Sequence, residues 1–152
     1  MKVLSIDPGP HVGASVWQDD AIVDAGYEHA HYVEAFNSWE WTPGDFQTDI
    51  HRWVRWADVV VIEGFTILGS RDASSNVTIE MIGVVKYLAT LEGTSVFVQR
   101  PADSKSFDPK WAKLKRLGWY RPGPDHPNSA TRHMILYLAK NLPGFARRLL
   151  ES

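Results

Sequence analysis

The stretch Val3-Leu4-Ser5-Ile6-Asp7-Pro8-Gly9-Pro10 joins a short apolar run to a turn-forming cluster. An apolar run that ends in Asp-Pro-Gly is typical of a buried strand followed by a sharp turn. Two more strand candidates follow closely, over residues 13–17 and 21–27. The short connections predict that these three strands form an antiparallel meander.

The remaining sequence alternates between helical and strand patterns. Apolar residues at helical spacing predict helices, and β-branched runs predict buried strands. The predicted elements are a helix over 45–56, a central strand over 58–62 that leads into Glu63, a helix over 75–91, a strand over Ser95–Gln99, a basic helix over 110–117 and a last helix from about Asn128. Residues 100–124 contain four prolines and are predicted to be loop-rich, and Pro143 should end the last helix before a short basic tail. The order predicts an α/β fold with a five-stranded mixed sheet flanked by helices, in one domain over residues 1–152.

The composition excludes several classes of protein. Of the 152 residues, 44% are hydrophobic and 22% are charged, as in an ordinary folded domain. The absence of cysteine excludes disulfides, thiolate metal sites and a cysteine nucleophile. Neither a signal peptide nor an apolar stretch of about 20 residues is present, so we expect a cytoplasmic protein with no membrane partner.

Charge is distributed unevenly along the chain. Residues 1–98 carry 5 Lys and Arg against 14 Asp and Glu, a net charge of −9. Residues 99–152 carry 11 against 4, a net charge of +7. These charges either face solvent without a partner or form a basic face for a polyanion beside an acidic, cation-binding site.

Acidic residues follow two of the predicted strands. Asp7 and Glu63 each come directly after a buried run, and their carboxylates would repel each other at one sheet edge unless a cation or proton intervened. Oxygen ligands of this kind suit Mg²⁺ or Mn²⁺. The cluster Asp125-His126-Pro127-Asn128-Ser129 precedes the last helix and either adds ligands or only caps that helix. Ordinary turn chemistry is the alternative explanation for both strand-end carboxylates.

Taken together, these segments resemble RuvC-type Holliday junction resolvases, which have the ribonuclease H-like fold. The resemblance has five parts in the family's order: residues 3–10 with Gly13 and Val16, Val60-Val61-Ile62-Glu63-Gly64-Phe65, the helix around residues 79–88 with Gly83, Pro101-Ala102-Asp103-Ser104-Lys105, and His126-Pro127-Asn128-Ser129-Ala130. It spans nearly the whole chain. The stretch Trp119-Tyr120-Arg121-Pro122-Gly123 and the Arg132-His133 pair are similar to resolvases of actinobacterial phages.

The resemblance implies a metal-dependent endonuclease that resolves four-way or other branched DNA by paired nicking. It implies a homodimer with Mg²⁺ or Mn²⁺, two ions per active site, in a host cytoplasm if the protein is phage-encoded. The implied metal ligands and catalytic residues are Asp7, Glu63, Asp125 and His126, with Lys105 stabilising charge at the scissile phosphate. The implied DNA-binding residues are Phe65, Arg71, Lys105, Lys113, Lys115, Arg116 and Arg121.

One position departs from the family's pattern. The family has an Asp directly before the alanine that opens the last helix, and this sequence has Ser129. Asp125 either supplies the missing carboxylate from outside the motif or aligns with Asn128 as a shifted pair. Two other functions therefore stay open: a protein of this fold that binds branched DNA with weak or no catalysis, and another nuclease of the same fold, such as one acting on RNA–DNA hybrids.

Overall fold

A computed structural model describes residues 1–22, 31–64 and 73–151 of the chain. The strands are β1 (Lys2–Asp7), β2 (Val12–Ile22), β3 (His31–Trp41), β4 (Val59–Glu63) and β5 (Ser95–Gln99). The helices are α1 (Pro43–Trp56), α2 (Ala73–Glu92), α3 (Pro101–Phe107), α4 (Ala112–Leu117), α5 (His126–Asn141) and α6 (Pro143–Glu151), with a 3₁₀ turn over Pro109–Trp111. The strand order is β3-β2-β1-β4-β5, so the predicted five-stranded mixed sheet with flanking helices is confirmed.

The register of the sheet brings two strand ends to one edge. Strand β1 pairs antiparallel with β2 and parallel with β4, with Ile6 opposite Ile62. Strand β4 pairs parallel with β5, with Glu63 opposite Gln99. Because neighbouring parallel strands run in the same direction, Asp7 and Glu63 end β1 and β4 at the same edge.

Both faces of the sheet are covered, which explains why β1 and β4 are apolar almost throughout. One face packs on α1 and α2, and its buried cluster includes Leu4, Ile6, Val60, Ile62, Phe46, Ile50, Val54, Met81 and Val85. The opposite face packs on α5 and α6, and its buried cluster includes Val3, Val61, Met134, Ile135, Leu138, Phe145 and Leu149. Asp7 and Glu63 lie at the sheet edge that faces the N-terminal end of α5.

Two close contacts fix α5 on the sheet. The buried hydroxyl of Ser5 donates a 2.7 Å hydrogen bond to the carbonyl of Ala130. At Gly13, a Cβ atom would lie 1.9 Å from the carbonyl oxygen of His126. Glycine is therefore required where the first turn of α5 approaches β2, opposite Asp7 in the sheet register.

The predicted third strand was misplaced. Ala21 and Ile22 complete β2, and the third strand is β3, while residues 23–27 lie outside the described residues. The position of the third strand is set by its pairing with β2, an eleven-residue antiparallel ladder in which Trp17 lies opposite Phe36. Local apolar content, which predicts a strand at residues 21–27, carries no information about this long-range pairing.

The region predicted to be loop-rich is largely helical. Pro101 begins α3 and Pro109 begins the 3₁₀ turn, positions where the missing N–H costs no helical hydrogen bond. The predicted basic helix is confirmed over Ala112–Leu117, and the expected basic tail forms α6. No helix in the described part of the chain is long and apolar enough to span a membrane.

Candidate active site

Two carboxylates lie together at the ends of the central strands. The side chains of Asp7 and Glu63 are 13% and 21% exposed. Burial and, to a smaller extent, the nearby charge of Glu63 raise the pKa of Asp7 from 3.8 to about 6, against the lowering effect of His126. The pair is therefore electrostatically strained when both groups are ionised, and a bound cation would relieve it.

The first turn of α5 faces this pair. The ring Nδ1 of His126 lies 3.4 Å from Oδ2 of Asp7. One turn later, the hydroxyl of Ser129 donates to Oε2 of Glu63 over 3.4 Å. Residues three apart lie on one face of a helix, so His126 reaches one carboxylate and Ser129 the other.

A residue whose role the sequence did not predict completes the cluster. His133 is fully buried, and its Nε2 lies 2.6 Å from Oε2 of Glu63. Its Nδ1 lies 2.8 Å from Oε1 of Gln99. The sequence does contain a signal for this role: His133 follows Ser129 by four residues, so both lie on the same face of α5.

Asp125 and Asn128 do not face the carboxylates in the same way. Asp125 is exposed at the N-cap of α5 and makes no side-chain capping bond. The buried amide of Asn128 accepts from the backbone N–H of Arg121 at 2.9 Å and donates to its carbonyl at 2.8 Å. Asn128 therefore holds the preceding loop, and in the first turn of α5 it is His126 and Ser129, rather than Asp125 and Asn128, that contact the acidic pair.

The donor set determines which metal arrangement fits. In residues 1–22, 31–64 and 73–151, no three His, Asp or Glu side chains are grouped closely enough to hold a metal ion. Two neighbouring carboxylates do fit one Mg²⁺ or Mn²⁺, because Mg²⁺ commonly takes one or two carboxylates and completes its shell with water and phosphate oxygens. The described side chains therefore fit one ion and do not preform the expected pair of ions.

The predicted basic residues have different environments. Lys105 is exposed in the last turn of α3, directly after Ser104, which is buried against α5. The amine of Lys113 donates to the carbonyl of Phe107, and Arg121 donates to the carbonyl of Ser38, so both stabilise the local fold. Two further basic residues are exposed on α4: Lys115, which lies over the ring of Tyr120, and Arg116. The remaining predicted DNA-binding residues, Phe65 and Arg71, lie outside the described residues.

A buried arginine also affects the charge near the site. The guanidinium of Arg132 lies 4.2 Å from the ring centre of Trp111. Burial lowers its pKa, and the charges of Glu63 and Asp108 act in the opposite direction. Arg132 therefore brings a positive charge close enough to interact with the acidic pair.

The comparison with solved structures concerns the fold. No family model and no curated protein matches the sequence. The chain is similar to Thermus thermophilus RuvC in complex with a Holliday junction substrate, with 18% identity over 92% of this chain and 96% of that one and a TM-score of 0.61. A second T. thermophilus RuvC structure gives 19% identity over the same shares and a TM-score of 0.60. A fowlpox virus resolvase in complex with Holliday junction DNA gives 20% identity over 93% and 99% of the chains and a TM-score of 0.48.

The two RuvC comparisons, with TM-scores of 0.61 and 0.60, establish likeness of fold. The strand order and the flanking helices match the ribonuclease H-like fold of RuvC, as the sequence predicted. The chain thus places two carboxylates, two histidines and a serine at one edge of a RuvC-like sheet.

Proposed function

We propose that this protein is a metal-dependent endonuclease that cuts four-way or other branched DNA by paired nicking. The observation that carries the proposal is the meeting of Asp7, Glu63 and His126 at one edge of a RuvC-like sheet. The RuvC structure with the similar fold holds a Holliday junction substrate, which supports the same substrate class here.

Asp7 and Glu63 would hold the divalent cation, with His126 beside Asp7. When bound, Mg²⁺ or Mn²⁺ supplies an activated water and neutralises charge on the reacting phosphate. Holding a second ion would require a further ligand, for which Asp125 at the head of α5 is our candidate. In this proposal Lys105 contacts the phosphate and stabilises its developing charge.

DNA would be bound by the exposed cations of the C-terminal third. Lys115 and Arg116 would neutralise phosphates, and Tyr120 offers an aromatic face next to Lys115. Phe65 and Arg71 stay predicted contacts at the branch point. The resemblance to phage resolvases, and with it a host-cytoplasmic location, rests on sequence alone.

A homodimer would match the two-fold symmetry of a junction. Helix α2 exposes a stripe of large apolar side chains, Val84, Tyr87 and Leu91, which are 42%, 65% and 59% exposed. On the edge strand β5, Val98 is also exposed, but it lies beside Lys86 on another side of α2. A row of exposed apolar side chains like that of Val84, Tyr87 and Leu91 favours a protein interface, so we assign the dimer contact to this face of α2.

A second candidate function is a protein that binds branched DNA without cutting it. Ser129 favours this alternative, because it places a hydroxyl where a carboxylate would strengthen the metal site. The lack of a group of three metal-binding side chains in the described part of the chain also favours a protein that binds DNA without cutting it.

Cleavage of a labelled four-way junction beside a linear duplex and an RNA–DNA hybrid distinguishes these functions. With Mg²⁺ or Mn²⁺ present, the tests use the intact chain, Asp7→Asn and, as a matched control, Asp49→Asn on α1, where the carboxylate pairs with Arg52. We expect paired nicks in the junction with the intact chain and Asp49→Asn, and none with Asp7→Asn. Junction binding without nicks would favour the non-catalytic protein, and preferential hybrid cleavage would favour the other nuclease.

A further inference from the structure

His133 is a buried imidazole that joins three elements behind the acidic pair. It is 0% exposed, and its two ring nitrogens face Glu63 at the end of β4 and Gln99 at the end of β5. The hydroxyl of Ser104 on α3 lies 3.2 Å from the same Nε2 that faces Glu63. Both nitrogens of the ring therefore have polar partners, and its orientation is fixed.

The sheet register explains why one side chain reaches both strand ends. Glu63 and Gln99 lie opposite each other in the parallel β4–β5 ladder. Residues in register on neighbouring strands project from the same face of the sheet, and α5 packs on that face. His133 comes from α5 and bridges the two.

Packing alone does not account for a histidine here. The following residues on α5, Met134 and Ile135, belong to the apolar cluster beneath the sheet. A buried imidazole costs free energy unless its nitrogens are hydrogen-bonded, whereas an apolar side chain of similar volume would fill the space without that cost. The contacts with Glu63 and Gln99 are what this residue type adds.

Glu63 is the residue that gains from the contact. Its side chain has three rotatable bonds and is partly exposed at a strand end, so an unrestrained carboxylate would sample several rotamers. Two α5 residues restrain it, and both contacts are on Oε2: 2.6 Å from His133 and 3.4 Å from Ser129. The shorter distance indicates that His133 makes the stronger restraint.

We infer that His133, oriented by Gln99, is a positioning residue that holds Glu63 in the conformation that binds the divalent cation. The inference rests on the proposed function, since it assumes that Glu63 binds a cation. His133 acts through Glu63 and does not contact the substrate. Partners that orient a metal ligand typically change metal affinity by about 10–100-fold.

Calorimetric titration of the full-length chain with Mn²⁺ tests this role apart from cleavage. We expect His133→Leu to weaken Mn²⁺ binding by about 10–100-fold. His133→Gln keeps an N–H donor on a side chain of similar reach, and it should restore most of the affinity. Met134→Leu, the next buried position on α5, is the matched control and should bind Mn²⁺ as the intact chain does. Thermal unfolding without metal shows whether each variant is folded.

The outcomes separate this inference from the proposed function. A folded His133→Leu variant with unchanged Mn²⁺ affinity would overturn the positioning role and leave the nuclease proposal standing. Mn²⁺ binding that depends on His133, in a chain that cuts no junction, would support the positioning role and contradict the nuclease. If the intact chain binds no Mn²⁺, both fail.

Gln99→Leu keeps the inference testable if His133→Leu does not fold. This variant removes the partner of Nδ1 and leaves the contact between Nε2 and Glu63 in place. We expect a several-fold loss of Mn²⁺ affinity, smaller than that of His133→Leu. Unchanged affinity in a folded Gln99→Leu variant would contradict the role assigned to the bridge.

Discussion

The raised pKa of Asp7 is the clearest energetic effect at a single residue. Its pKa is raised to about 6 by burial and by the charge of Glu63, so the folded protein binds this proton more tightly than the unfolded chain does. Between the ordinary pKa of 3.8 and about 6, the unfolded state loses the proton first. Stability without metal therefore falls as pH rises through this window and stays lower above it.

Replacing Asp7 by Asn should remove the loss of stability that the ionised Asp7 carboxylate causes. Without metal, we expect Asp7→Asn to raise the free energy of unfolding at pH 7 by up to about 3 kcal/mol, the equivalent of the pKa shift. The gain should shrink as pH falls towards 4, where the folded carboxyl is already protonated. Urea denaturation at both pH values, without metal, measures the difference. An equal effect at both would mean that Asp7 is not strained by its surroundings.

Ser129 allows the opposite test, the addition of a charge. Ser129→Asp places a third carboxylate beside Glu63, because the serine hydroxyl already lies 3.4 Å from Oε2. We expect lower stability without metal and about 10-fold tighter Mn²⁺ binding, measured by denaturation and calorimetry. Ser106→Asp, at an exposed position on α3, controls for added charge. If both variants bind Mn²⁺ alike, position 129 does not face the metal site.

At the scale of elements, the approach of α5 to β2 determines the site. Gly13→Ala would place a methyl group 1.9 Å from the carbonyl oxygen of His126, a backbone atom that cannot move alone. We expect a loss of about 1–3 kcal/mol in stability, measured by denaturant unfolding, and weaker Mn²⁺ binding because His126 shifts from Asp7. Gly144→Ala is the matched control, since the space at its Cβ position is open. Wild-type behaviour of Gly13→Ala would show that α5 does not need this close approach.

The two central strands can be predicted from the sequence, whereas the position of the third strand cannot. Strands β1 and β4 were predictable because both are buried on two faces and read as apolar runs that end in acids. Strand β3 was misplaced because its position depends on pairing with β2, which local patterns do not reveal. Of the predicted site residues, Asp7 and Glu63 end neighbouring strands and His126 lies beside Asp7, whereas Asp125 is exposed at the head of α5. The role of His133 was missed because it depends on how α5 crosses two strand ends.

At the scale of the whole molecule, the exposed apolar stripe on α2 predicts an oligomer. Tyr87→Glu adds a charge to a side chain that is 65% exposed, so the fold should be unaffected while a two-fold contact through α2 is disrupted. We expect sedimentation velocity to show a dimer for the intact chain and a monomer for this variant. Lys86→Glu, exposed on another side of α2, should remain dimeric. A monomeric intact chain, or a dimer that tolerates Tyr87→Glu, would contradict this interface.

Locating Mn²⁺ by anomalous scattering in crystals of the full chain would show whether the acidic edge of the sheet binds the metal. We expect a peak in contact with the carboxylates of Asp7 and Glu63, and its loss in Asp7→Asn. Bound Mn²⁺ at another place, with none at this pair, would contradict the assignment of the acidic edge as the metal-binding active site.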